Sequence, residues 1–133
     1  MRKNIKFIAG GIENSVELDG WFYTPDHGQA PYPTIVMSHG FGAIKEMALS
    51  GYAEIFCQAG FACLVYDHRN TGASAGEPRG ELDPWQQISD MRDAITFAVM
   101  QPEVDAERIG LWGTSYSGGH ALVVAATDRR VKC

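Results

Sequence analysis

The feature that most constrains the fold is a short apolar run that ends in a turn rich in glycine and serine. Ile109-Gly-Leu-Trp112 is a continuous apolar run, which is typical of a strand covered on both faces in a parallel sheet. Gly113-Thr-Ser-Tyr-Ser117 follows and predicts a tight turn, and a helix is expected from about Tyr116 to Thr127. A strand that runs through a turn into a helix indicates an α/β architecture.

The turn presents Ser115 as a candidate nucleophile. Its five residues fall one short of the G-x-S-x-G pattern, since Ser117 stands where the second glycine is usual. A sharp turn lifts a serine off the sheet and places it near backbone N–H groups, which acyl transfer requires. Ser117 is the alternative centre, but that frame would put the polar residues Thr114 and Ser115 inside the strand. The same stretch is also compatible with an ordinary glycine- and serine-rich turn. A phosphate-binding loop fits less well, because Gly119-His120 stands where lysine and a hydroxyl residue are needed.

Two further apolar runs repeat the strand pattern. Thr34–Met37 ends in the loop 38–42, and Phe61–Tyr66 ends in the polar loop 67–74. Before them, residues 4–8 and 16–23 alternate between polar and apolar side chains, which predicts an antiparallel pair of strands. The order predicts an α/β fold with a three-layer, doubly wound, mostly parallel sheet and an antiparallel N-terminal hairpin. The loops 38–42 and 67–74 and the turn Gly113–Ser117 are expected to meet at the carboxyl ends of the strands.

Amphipathic segments separate these strands. One helix is expected from about Glu46 to Ala59, and a second begins at the N-cap Asp83 with Pro84 at its first position. The apolar stripe of the second helix has three- and four-residue spacing and predicts core positions for Trp85, Ile88, Met91, Ile95 and Ala98. Val131-Lys-Cys133 has the character of the first residues of another strand.

Charge and cysteine content limit the partners. The net charge of -5 and the lack of a basic run argue against nucleic acid and anionic membrane as partners. No apolar stretch approaches the length that spans a bilayer. Cys57, Cys63 and Cys133 are odd in number and lack metal-site spacing, so they are expected to be reduced thiols in a cytoplasmic protein. The four histidines lack metal-site spacing too, and neither a metal nor a cofactor is expected.

Three motifs together resemble the α/β-hydrolase family, and most of all its dienelactone-hydrolase-like and Xaa-Pro-dipeptidyl-peptidase-like esterases and peptidases. They are His39-Gly-Phe-Gly42, Tyr66-Asp-His-Arg-Asn-Thr-Gly-Ala-Ser74 and Gly113-Thr-Ser-Tyr-Ser-Gly-Gly119, in the family's order and spacing. The resemblance implies a serine hydrolase that acts on a small-molecule ester or peptide through Ser115. It implies that the backbone N–H groups of Phe41 and Tyr116 form the oxyanion hole. The alternative is a non-catalytic, ligand-binding member of the same fold.

The resemblance also indicates what the chain lacks. The family's triad runs serine, then acid, then histidine, and only Asp128 and His120 follow Ser115 as such groups. His120 lies on the same helix and should point along it, while Asp128 lies at its far end. The acid and the histidine are therefore expected in a missing carboxyl-terminal half or a complementing chain. Residues 1–133 would then be the amino-terminal part of a single domain, inactive alone.

The remaining polar residues have more modest expected roles. His39 is expected to shape the oxyanion loop, and His39 and His68 are the candidates to line the substrate pocket. Asp67 and Arg69 are expected to hold the loop after the fourth strand through hydrogen bonds. His27 lies in a polar loop and is expected to be solvated.

Overall fold

The computed structural model describes residues 1–133 and contains a five-stranded mixed sheet between helices. The strands are β1 (Arg2–Ala9), β2 (Val16–Tyr23), β3 (Tyr32–Ser38), β4 (Ala62–Tyr66) and β5 (Val104–Gly113). The helices are α1 (Leu49–Gln58), α2 (Pro84–Val99) and α3 (Tyr116–Thr127).

The sheet has the strand order β1-β2-β4-β3-β5. β3 pairs in parallel with both β4 and β5, while β2 is antiparallel to both β1 and β4. The predicted parallel centre and antiparallel N-terminal hairpin are confirmed. β4 and β5 lie on opposite sides of β3. The connection from β3 to β4 therefore runs one way across the sheet, and the connection from β4 to β5 runs back past β3 to its other side. A crevice forms at such a reversal, outside the carboxyl ends of the strands.

Helices cover both faces of this sheet. The larger core has 16 buried residues and lies on the side of α2 and α3, with Leu64 and Ile95 at its centre. The smaller core has 6 buried residues and lies beneath α1, where Ala53 packs with Cys63. The two cores make the three-layer arrangement that the sequence predicts.

Helix α2 begins as the sequence predicts. The Asp83 side chain accepts hydrogen bonds from the amides of Trp85 and Gln86, and Pro84 follows it. The expected core position of Trp85 is wrong, because its side chain is 73% exposed. Trp85 lies in the first turn of α2 beside a cleft that includes Arg69 and Gln86, and no other hydrophobic residue lines this cleft to cover the indole.

Two other boundaries differ from the sequence prediction. Helix α1 starts at Leu49 rather than near Glu46, because Ala48 has a φ of 70° and interrupts a helical path. Strand β5 starts at Val104, before its apolar run. The expected start of a further strand is confirmed. Val131 forms a parallel bridge with Ile109, and the Lys132 amide donates to the Ile109 carbonyl at 2.8 Å.

Candidate active site

The turn between β5 and α3 is a sharp elbow centred on Ser115. Ser115 has a φ of 52° and a ψ of -116°, a region that side-chain-bearing residues rarely adopt, and its side chain is exposed. A Cβ atom at Gly113 would lie 2.1 Å from the Ser117 carbonyl oxygen, so only glycine fits there. The prediction of a tight turn around Ser115 is confirmed, and the turn presents the hydroxyl at the carboxyl edge of the sheet.

The structure brings the two predicted oxyanion donors to this elbow. Tyr116 is the first residue of α3, so its amide has no acceptor within the helix. The loop after β3 runs beside the elbow, since a Cβ atom on Gly40 would lie 3.3 Å from the Ser115 Cβ. The Phe41 amide donates to no other group of the chain, and the Phe41 ring lies edge-on to the Tyr116 ring with centroids 5.6 Å apart. The two segments that meet at the elbow thus each carry an amide that donates to no group of the chain.

Ser117, the alternative nucleophile, is fully buried. Its hydroxyl donates to the His39 carbonyl and lies 2.8 Å from the His68 Nε2. A hydroxyl that is shielded from solvent and engaged on both sides cannot reach a substrate carbonyl. The geometry favours Ser115.

His39 and His68, the candidates to line the substrate pocket, lie beneath the loop after β3. Their exposures are only 2% and 1%. Burial lowers the pKa of both imidazoles, that of His68 to about 3, so both rings are neutral at physiological pH. The His39 Nε2 accepts from the His68 amide at 3.1 Å, which leaves the His39 Nδ1–H to donate to the Gly40 carbonyl at 3.1 Å. The expectation that His39 shapes this loop agrees with these bonds.

Asp67 joins the loop after β3 to the loop after β4. Its carboxylate is fully buried and accepts from the Lys45 Nζ at 2.7 Å, the Lys45 amide at 2.7 Å and the Ala73 amide at 2.9 Å. The Lys45 ammonium, 1% exposed, also lies 2.8 Å from Asp19. Burial alone would lower the pKa of Lys45, but the bonds to Asp19 and Asp67 outweigh it and raise that pKa, so Lys45 is charged. Sequence reasoning missed Lys45, since nothing in its local pattern marks a lysine as buried.

Arg69 anchors the same loop to α2. Its Nε and Nη2 donate to the two carboxylate oxygens of Asp90 at 2.7 and 2.6 Å, in a bidentate pair. The hydrogen bond to Asp90 raises the pKa of Arg69 further. The prediction that Asp67 and Arg69 hold this loop is confirmed.

The acid and imidazole that follow Ser115 are both engaged elsewhere. The His120 Nε2 lies 2.8 Å from the Gln87 Oε1, and burial lowers the pKa of His120. Asp128 lies just after α3 and pairs with Arg130 at 2.6 Å. Neither side chain hydrogen-bonds to Ser115. His27 is exposed, as expected, and its Nε2 lies 3.1 Å from the Gln58 carbonyl oxygen.

A doubly wound sheet with an exposed serine on a positive-φ elbow, next to a glycine-containing loop after β3, defines an α/β hydrolase. The family model described as X-Pro dipeptidyl-peptidase (S15 family) matches residues 14–133. The chain belongs to that family.

The individual relatives that the chain matches include proteins named as hydrolases and as transferases. The chain is 49% identical over 119 residues to the thiohydrolase aneE of Aspergillus aculeatus, covering 90% of this chain and 36% of the relative. It is 44% identical over 114 residues to the polyketide transferase af380 of Aspergillus fumigatus, covering 86% and 38%. The crystal structure of the alpha/beta hydrolase GrgF from Penicillium sp. sh18 superposes with a TM-score of 0.90 at 35% identity, covering 98% of this chain and 43% of that one. The chain thus spans about two fifths of the length of these proteins. None of its helices has the length and apolar character needed to cross a bilayer.

Proposed function

We propose that the protein carrying this chain is a serine hydrolase that cleaves a carboxylic ester, thioester or amide through an acyl-enzyme on Ser115. The observation that carries the proposal is the elbow, where an exposed serine at a φ of 52° joins β5 to α3, next to a loop whose Phe41 amide, like the Tyr116 amide, donates to no group of the chain. A fold that adopts such a backbone angle at a non-glycine residue holds it against a cost of roughly 1–3 kcal/mol. That cost is consistent with a functional use of the hydroxyl.

The proposed reaction uses this elbow together with a histidine base. The Ser115 Oγ attacks the substrate carbonyl carbon, and its proton passes to a histidine base. The carbonyl oxygen becomes an oxyanion, which the amides of Phe41 and Tyr116 stabilise. Collapse of the tetrahedral intermediate expels the alcohol, thiol or amine, which takes up that proton. Water then attacks the acyl-enzyme and releases the acid.

The histidine base and its acid are proposed to come from the remainder of the protein, beyond Cys133. The imidazole of His120 bonds to Gln87, and the imidazole of His68 lies beneath the elbow against Ser117. The chain covers only 36% of the relative with which it shares 49% identity. In addition, Leu122 on α3 is 75% exposed, beside an apolar groove between α3 and β5 that further elements of the fold could cover.

The names of the relatives bear on the acyl group and its acceptor. One relative is named a thiohydrolase, which favours a thioester as substrate. Another is named a polyketide transferase, which favours a second candidate function, transfer of the acyl group from Ser115 to an acceptor other than water. The two candidates share the acylation half-reaction. The alternative from another class is ligand binding without catalysis.

Active-site labelling of the full-length protein separates these possibilities. A fluorophosphonate probe forms an Oγ–P bond with an activated serine and releases fluoride. We expect labelling of the wild type, loss of labelling in Ser115→Ala, and unchanged labelling in Ser89→Ala, which removes an exposed hydroxyl from α2. Labelling that persists in Ser115→Ala, or its absence from a folded wild type, would contradict the proposal. Acyl thioesters offered with and without an added alcohol then distinguish hydrolysis from transfer.

A further inference from the structure

We infer that Ser117, together with His68, is a positioning residue that fixes the separation of the two oxyanion amides. The inference rests on the proposed function of Ser115 and goes beyond it, because Ser117 touches neither the substrate nor the nucleophile. Ser117 occupies the elbow position where glycine is usual, and its hydroxyl is fully buried. The structure therefore gives this extra hydroxyl a task other than attack on a substrate.

The Ser117 hydroxyl joins the two segments that carry the donors. Ser117 directly follows Tyr116, and it donates to the carbonyl of His39, two residues before Phe41. The link is therefore a direct hydrogen bond between the first turn of α3 and the loop after β3. A change in this bond would alter the distance between the two amides that must converge on one oxygen atom.

His68 fixes the direction of that bond. Since the Ser117 hydroxyl gives its proton to the His39 carbonyl, the His68 Nε2 at 2.8 Å must be the donor to the Ser117 Oγ. The same Nε2 lies 3.2 Å from the His39 carbonyl oxygen, so the imidazole supports both partners. The His68 Nδ1 is buried without a partner, a cost that is consistent with the ring being held for what its other nitrogen does.

The peptide between Gly40 and Phe41 is also held in one orientation. The His39 Nδ1–H and the Ala43 amide donate to the Gly40 carbonyl at 3.1 and 3.2 Å. In a planar trans peptide the C=O and N–H groups point in opposite directions. Bonds that hold the Gly40 carbonyl on one side therefore aim the Phe41 N–H towards the other side, where no group of the chain accepts it. Two consecutive carbonyls of the loop, those of His39 and Gly40, are held in this way.

The test compares ground-state and transition-state binding in the full-length protein. An interaction that aligns oxyanion donors acts on the tetrahedral species and leaves ground-state binding unchanged. We expect Ser117→Ala to lower kcat by about 10- to 100-fold, less than the roughly 10²- to 10³-fold loss on outright removal of an oxyanion donor, with KM changed by less than about twofold. The affinity for an alkyl boronic acid, which forms a tetrahedral adduct on the nucleophile, should fall by a similar factor.

The controls separate the possible failures. Ser89→Ala removes a hydroxyl from the protein surface and should leave all three quantities unchanged. If Ser117→Ala does not fold, Ser117→Cys keeps the size with a weaker donor and is measured in the same way. Values of kcat and boronate affinity within about twofold of wild type in a folded Ser117 variant would overturn the inference alone. Failure of the wild type to react with a fluorophosphonate at Ser115 would overturn the proposed function, and the inference with it.

Discussion

Removal of the Asp67 carboxylate should be one of the most damaging single changes at the carboxyl edge of the sheet. Asp67 is fully buried and satisfies three donors, the amides of Lys45 and Ala73 and the Lys45 ammonium. In Asp67→Ala, the ammonium keeps the partly exposed Asp19 at 2.8 Å and Glu46 at 3.4 Å, while the two amides lose their acceptor. The variant therefore weakens the pairing of a buried ammonium and leaves the buried Lys45 amide without an acceptor.

The magnitude follows from these losses. Breaking a buried ion pair by removing one partner costs about 3–5 kcal/mol, and an orphaned buried N–H group costs about 1–3 kcal/mol. The contributions are not additive, and Asp19 at 2.8 Å retains part of the charge pairing. We expect the free energy of unfolding to fall by about 3–5 kcal/mol in total. Asp67→Asn keeps the shape and one acceptor oxygen but not the charge, so its loss should be smaller.

Urea-induced unfolding at constant pH, followed by tryptophan fluorescence, measures this difference through the transition midpoint. Asp26→Ala is the matched control, because Asp26 also pairs with an ammonium group, that of Met1, but both partners are exposed. The control should unfold at the wild-type midpoint. A midpoint for Asp67→Ala equal to that of the control would refute the argument that Asp67 joins the two loops.

Three other predictions concern the elbow, the buried histidines and the length of the chain. Gly113→Ala should abolish fluorophosphonate labelling of the full-length protein and lower its thermal midpoint, because the new Cβ would lie 2.1 Å from the Ser117 carbonyl oxygen; normal labelling would contradict this. Burial keeps the folded-state pKa of His68, about 3, below the unfolded value near 6.5, so the unfolded state binds more protons between these values and stability should fall as pH drops through that window. Urea midpoints from pH 7 to pH 4 should fall less steeply in His68→Gln than in wild type, and equal slopes would refute the assignment. Residues 1–133 expressed alone should hydrolyse no ester above the rate of their Ser115→Ala variant, and Ser115-dependent turnover on the order of 10 per second would show that a base exists within the chain.

The sequence was sufficient for the strands and the elbow because each depends on a local pattern. The continuous apolar runs of β3 and β4 are determined by burial on both faces, and the turn at Ser115 is determined by the small residues around it. The N-terminus of α2 was likewise readable from Asp83 and Pro84, since capping is a property of adjacent residues.

Features that depend on packing between distant segments could not be read in this way. The Lys45–Asp67 pair joins residues 22 positions apart, and only the fold shows that both are buried. Trp85 has the spacing of a core residue, yet its side chain is exposed beside a cleft that no other hydrophobic residue lines. His68 follows a strand, where polar residues commonly face a crevice, but the loop after β3 covers it. The only signal in the sequence for the role of His68 is Ser117. A hydroxyl at that buried position needs a polar partner, and His68 is that partner.

Under the proposed function, catalysis and folding make opposite demands on the backbone at Ser115. A φ of 52° with a ψ of -116° is a conformation that glycine adopts without strain and serine does not. Selection for stability alone would place glycine at position 115, relieving on the order of 1–3 kcal/mol of strain while deleting the hydroxyl. Under the proposed function, the most stable residue at this position and the residue that catalysis requires thus differ. A homologue with glycine at this position would have an unstrained elbow and no nucleophilic hydroxyl, so it would be suited to binding a ligand rather than to cleaving it.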